Sequence, residues 1–136
     1  MRVETRAYFI VFSDELSPEE PTARIGITPS SVKTKAAKSA SPPRPVTNVW
    51  KLDSGLDRQA PTWDHLEALC ALVTPVTARI SELCEGEPTA SLKIVREFYP
   101  AVGEARLGFW LDEPWLAILR QTGAHLDVDE YDYTSE

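Results

Sequence analysis

Residues 62–85, TWDHLEALCALVTPVTARISELCE, carry the longest helical pattern in the chain, and their reading decides how the rest is layered. Trp63, Leu66, Leu69, Cys70, Val73, Val76, Ile80, Leu83 and Cys84 recur at helical spacing, the period of one buried face. His65, Glu67, Arg79, Glu82 and Glu85 fall mostly between them and read as the solvated face. Thr62 is placed to cap the start, with Asp64 in the first turn where the helix dipole favours negative charge, and Gly86 is a natural stop. Pro75 cannot donate to the carbonyl of Ala71, so a kink near Thr74, or two abutting helices, is expected. A helix this long and apolar on one side needs a broad partner, most simply a sheet.

The flanking segments supply that sheet. Arg2–Phe12, RVETRAYFIVF, alternates as a strand, and from Tyr8 onward both faces are apolar, which predicts cover on both sides. Ser17-Pro18-Glu19-Glu20 opens a short helix that Gly26 ends. Asn48–Leu52 is a short strand, followed by the turn residues Asp53-Ser54-Gly55. Ala90–Tyr99 alternates again, and Ala105–Leu111 returns as its hairpin partner across the loop containing Gly103. Asp112 caps a helix over Glu113–Gln121 with Trp115, Leu116 and Leu119 as its buried face, and Gly123 stops it. His125–Tyr133 is the last strand, and 134–136 are tail. The expected fold is therefore one α+β domain spanning 1–136. It has a mainly antiparallel sheet, helices on one face, the order β-α-β-α-β-β-α-β and a long kinked central helix, with the ferredoxin-like arrangement as its nearest architecture.

Composition narrows the function classes. The chain has 136 residues and a net charge of −7, and the charge is uneven. Residues 1–60 hold nine basic against seven acidic side chains, and residues 61–136 five against fourteen. Such acidity repels phosphate backbones and argues against nucleic acid, while favouring a basic protein partner. No apolar run is long enough to span a bilayer, and the charged N-terminus lacks a signal peptide's apolar core, so the expected location is the cytoplasm. Ser30–Thr47 is rich in Ser, Ala and Pro, has four basic residues and no acidic one, and reads as a mobile solvated loop.

Motifs for chemistry are few. Cys70 and Cys84 would lie about 21 Å apart on one helix and cannot pair with each other; both read as core thiols. His65 and His125 have no HExxH or cysteine-rich neighbours, and no GxSxG, GxGxxG or phosphate-loop spacing occurs. Trp50, Trp63, Trp110 and Trp115 read as core. No cofactor is implied. The densest acidic cluster is Asp127, Asp129, Glu130 and Asp132, whose alternate carboxylates could hold Ca²⁺ or Mg²⁺, but a strand cannot wrap an ion alone. A solvated face or a charged edge strand is the plainer reading.

Several stretches together resemble one family. LSPEEPTARIGITPS, then VWKLDSGL, then the long helix with its internal proline, then LDEPWLAILRQTGAHLDVDEY, is similar to the bacterial DUF4279 family over nearly the whole chain. Pro21 and Arg24 depart from its apolar helix positions. The resemblance implies a small α+β domain and a bacterial origin, and no activity. Its closing motif singles out Asp127, Asp129 and Tyr131, and with Asp132 these are the candidate ligand or partner residues. The expected function is a non-enzymatic domain that binds a protein, in the manner of an antitoxin or immunity-like inhibitor of a basic target. The alternative is a small-molecule- or metal-dependent enzyme using the acidic last strand, and a homodimer is compatible with either.

Overall fold

The computed structural model of the protein describes residues 1–35 and 47–135. The chain is α+β, with strands β1 (Arg2–Ser13), β2 (Ser31–Lys33), β3 (Asn48–Asp53), β4 (Thr89–Tyr99) and β5 (His125–Asp132). These join into one mixed, mostly antiparallel sheet in the order β2-β3-β1-β4-β5. Strand β1 is the hub: it pairs antiparallel with β3 and with β4, while β4 and β5 run parallel. The helices are α1 (Glu19–Ile25), α2 (Thr62–Val73), α3 (Thr77–Leu83) and α4 (Glu113–Thr122). A single 3-10 turn, Thr74–Val76, separates α2 from α3. It contains Pro75, the residue that cannot supply the regular backbone bond.

The registers fix which side of the sheet is buried. Phe9 lies opposite Leu52 and Leu92, Val11 opposite Trp50 and Ala90, and Ala7 opposite Ile94. All of these side chains join one core with Leu66, Leu69, Val73, Ile80 and Leu83 from the long helical stretch. Trp115 closes the layer: its ring stacks on Phe9 at 6.3 Å between centroids, and its indole donates to the carbonyl of Leu66 at 2.9 Å. Trp50 ties β3 to α1 through a 3.1 Å bond to the Thr22 hydroxyl. Gly26 ends α1 at φ 84°, where a Cβ would come within 2.8 Å of Arg79 Nη1. Glycine is favoured there by the left-handed backbone, whereas the guanidinium is the far end of a flexible side chain that can shift.

Four expectations need correction. Ala105–Leu111 is not a strand, so β4 has no hairpin partner, and the element order is not β-α-β-α-β-β-α-β. The flank of β4 that the hairpin would have used is taken by β5. Ser31–Lys33, inside the stretch read as a mobile loop, forms the edge strand β2 on β3; residues 36–46 of that stretch lie outside the described residues. Helix α4 buries Trp115, Ile118 and Thr122, whereas Leu116 is 47% exposed. Finally, the second face of β1 is not covered by a helix among the described residues. Around Tyr8, Ile10 and Phe12 lies a shallow depression of about 400 Å³ lined by strand residues alone. Ile10 is still buried, flanked by Lys51 and Ser91 on the neighbouring strands.

The contrast between the two leucines is measurable. Leu69 is fully buried between helix and sheet, so Leu69→Ala should cost about 2–5 kcal/mol in urea unfolding, whereas Leu116→Ala should stay within about 0.5 kcal/mol.

Candidate functional site

Side chains alternate across a strand, so the face of the sheet that the helices leave open is set by the same registers as the core. From β1 it receives Arg6, Tyr8, Ile10 and Phe12; from β3, Lys51; from β4, Lys93 and Val95; from β5, Asp127, Asp129 and Tyr131. Lys93 Nζ lies 3.2 Å from Asp129 Oδ2 and 3.7 Å from Asp127 Oδ2. The bond to Asp129 and the two carboxylate charges hold the Lys93 ammonium above its usual pKa, against the opposing effect of burial. Lys51 goes the other way: burial lowers its pKa, and the positive charges of Lys33, Lys93 and Arg6 add to that. Its ammonium sits 4.5 Å over the Tyr8 ring, a cation–π contact. Arg6 is held by Glu97 at 2.7 Å, and the same carboxylate accepts from the Tyr99 hydroxyl at 2.6 Å. That bond raises the Tyr99 phenol to about 12 and pulls Glu97 below the usual carboxylate range.

Of the four candidate residues, the structure brings three together and separates one. Asp127, Asp129 and Tyr131 share the open face, as their alternate positions require. Asp132 has the opposite parity, and its carboxylate accepts from the backbone N–H of Thr134 at 2.9 Å, fixing the turn after β5. Glu130, also of opposite parity, reaches Arg96 at 3.3 Å. The acidic run therefore splits between two faces, and among the described residues no group of three or more His, Cys, Asp or Glu could hold a metal ion.

A second concavity, of about 330 Å³, lies at the end of the sheet where β1 begins. It sits between the start of α2 and residues 105–110, which run as an irregular extended segment. Trp63 and Trp110 stack there with centroids 5.2 Å apart, and the Arg106 guanidinium lies 4.9 Å over the Trp110 ring. Trp110 is 51% exposed, so only Trp50 and Trp115 of the four tryptophans are fully buried core residues. The segment is held by Arg96, a side chain only 2% exposed. Arg96 donates to the carbonyl of Arg106 at 2.6 Å and to that of Leu107. Thr5 and Thr62 share a 2.8 Å hydroxyl–hydroxyl bond in the same concavity.

A family model described as a domain of unknown function, DUF4279, matches residues 3–133. The chain belongs to the DUF4279 family. No curated protein and no solved structure matches it.

Two buried polar groups of this DUF4279 domain stand out, Arg96 on the apolar alternation that the spacing of β4 gives it and His65 against expectation. Arg96 occupies the core parity of β4 between Ile94 and Phe98, and a cation on an apolar alternation is the signal that marks it. His65, expected on the solvated side of the long helix, is 1% exposed. It precedes Leu69 by one helical turn, and that spacing placed it on the buried face. Its Nδ1 is 2.6 Å from the Ser54 hydroxyl, while Nε2 is buried without a hydrogen-bond partner among the described residues. The serine oxygen also accepts from the Leu56 N–H at 3.3 Å, an arrangement that clamps the loop after β3 onto α2. A nucleophilic serine needs a base free to take its proton and a third group to orient that base. Here the serine oxygen is engaged by the Leu56 N–H in the loop after β3. Cys70 and Cys84 are free and partly buried, and burial pushes the Cys84 thiol above its usual pKa, which suits a packing role.

The clamp has a pH signature. Burial lowers the pKa of His65, opposed by the backbone and charge of Asp57 and by Asp64. The unfolded chain protonates its histidine near pH of about 6.5 while the folded one stays neutral, so the unfolded state binds more protons below that point. Stability should therefore be fully present above pH of about 7 and decline as pH falls toward about 5. His65→Gln, measured by urea unfolding across that window, should flatten the decline.

Proposed function

We propose that this DUF4279 domain is a non-enzymatic binding module that recognises a basic protein partner through the β5 margin of its open sheet face. The observation that carries the reading is the joint projection of Asp127, Asp129 and Tyr131 from one face. One lysine, Lys93, serves two carboxylates there, so the margin keeps net negative charge. Tyr131 is 46% exposed beside them, and a rigid aromatic next to charged groups is typical of protein interfaces. The acidic second half of the chain adds long-range attraction for a basic target. An antitoxin-like or immunity-like inhibitor in the cytoplasm is the form this reading takes. The metal-dependent alternative is weaker because Asp132 and Glu130 turn away from Asp127 and Asp129.

The architecture we infer is ferredoxin-like for the segment β1-α1-β2-β3-α2-α3-β4, with α4 and β5 added at one edge. The antiparallel spatial order β2-β3-β1-β4 supports it. The 3-10 turn at Pro75 supports a kink between α2 and α3. In this layout the open face is basic toward Lys33 and Lys51 and acidic toward β5, a gradient that also suits a second copy turned about a two-fold axis.

Affinity capture with the tagged chain at two salt concentrations tests the reading. A stoichiometric basic partner should be retained at low salt. Replacing Asp127 and Asp129 together with Asn should lower its affinity by about tenfold, and Asp132→Asn should leave it unchanged. Equal retention by the double variant removes the assignment. Recovery of this chain alone, at twice its mass in sedimentation, replaces the foreign partner with a second copy.

A further inference from the structure

We propose that the concavity between the start of α2 and residues 105–110 is a binding site for a small aromatic carboxylate. It lies apart from the β5 margin and does not depend on the protein-binding reading. The volume, about 330 Å³, is at the lower end of small-molecule sites, enough for a compact one- or two-ring ligand. Its walls are mainly apolar: Pro61, Phe109 and the stacked pair Trp63 and Trp110 offer flat surfaces to a planar ring.

Charge sets the polarity of the ligand. In a chain of net charge −7, this concavity is lined by Arg2, Arg96 and Arg106 and by no carboxylate. Arg2 is paired with Glu4 at 3.2 Å. Arg106 is exposed, and its guanidinium packs over Trp110 without a carboxylate partner among the described residues. Arg96 is the buried anchor. A guanidinium has about five N–H donors, and here the carbonyls of Arg106 and Leu107 and the carboxylate of Glu130 engage its two terminal nitrogens. The Nε–H is buried without a partner among the described residues. Its one carboxylate is itself 49% exposed and 3.3 Å away, a weak neutraliser for a cation only 2% exposed. The structure thus keeps positive charge at the floor and rim of an aromatic slot. The first turn of α2 opens on the same space and adds its dipole. A ring between Trp63 and Phe109 with its carboxylate toward Arg106 and Arg96 satisfies both features at once.

The experiment is an NMR titration of the ¹⁵N-labelled chain with naphthalene-2-carboxylate and, separately, with its uncharged analogue 2-naphthalenemethanol. The indole N–H signals of Trp63 and Trp110 should shift saturably with the carboxylate, while those of the core residues Trp50 and Trp115 stay nearly still. The carboxylate should bind about tenfold more tightly than the alcohol, the factor expected of a charge-assisted contact. Trp110→Ala and Arg106→Glu, both at exposed positions, should each weaken the carboxylate by about fivefold or more with the melting temperature retained. No saturable shift, equal affinity for acid and alcohol, or an affinity indifferent to Arg106→Glu would each overturn the proposal. Asp127→Asn with Asp129→Asn should leave this titration unchanged, so failure here and failure at the sheet face are read separately.

Discussion

Everything in this domain depends on the parity of β1. Its odd residues Ala7, Phe9 and Val11 face the helices, and its even residues Tyr8, Ile10 and Phe12 face away. Because β1 pairs on both flanks, its register passes to β3 and β4, and from β4 to β5. A slip of one residue would exchange the faces, putting Arg6 and Lys93 against Leu66 and Leu69 and exposing Phe9. Burying those cations in an apolar layer without their carboxylates would be far more costly than any local gain. The central strand therefore dictates which residues form the core and which lie on the open face.

The two flanks of β4 explain why the expected hairpin does not form. A strand has two edges, and those of β4 are filled by β1 and β5. Residues 105–111 find both edges of β4 taken, yet their backbone carbonyls still need donors. Arg96 supplies them: its planar guanidinium does for Arg106 and Leu107 what a neighbouring strand's N–H groups would have done. A cation in the core parity of a strand is costly in isolation, and here it is offset by holding an irregular segment against the sheet end. The arrangement also creates the aromatic slot, since the segment that failed to become a strand carries Phe109 and Trp110 across to Trp63.

How much of this was legible in the chain follows from which signals are local. The helical period over 62–85, the alternation of β1 and β4, and the glycine stops at Gly26 and Gly123 are local patterns, and the structure has helices or strands at each. The parallel pairing of β5 with β4 is not local. It was implied by a strand, a helix and a strand in succession, but reading 105–111 as an extra strand concealed that unit. His65 was misplaced for a related reason. Its polarity suggested the solvated side, while its spacing from Leu69 placed it inside, and spacing won once Ser54 could meet the ring. Trp110 looked like core by type and lies at the surface because its segment has no strand neighbours.

The candidate residues show the same rule at finer scale. Asp127, Asp129 and Asp132 look like one acidic cluster in the sequence, but the step from 129 to 132 is odd, so a strand sends the third carboxylate to the other face. There Asp132 accepts from Thr134, and hydrogen bonding keeps its carboxyl below the usual range, as a structural cap requires. What remains on the open face is a pair of carboxylates sharing one lysine beside an exposed tyrosine. Lys93 lies against both carboxylates, and their charges hold its ammonium above the usual pKa. Parity thus converts an acidic run into two unlike features, a cap on the turn after β5 and a charged margin on the open face.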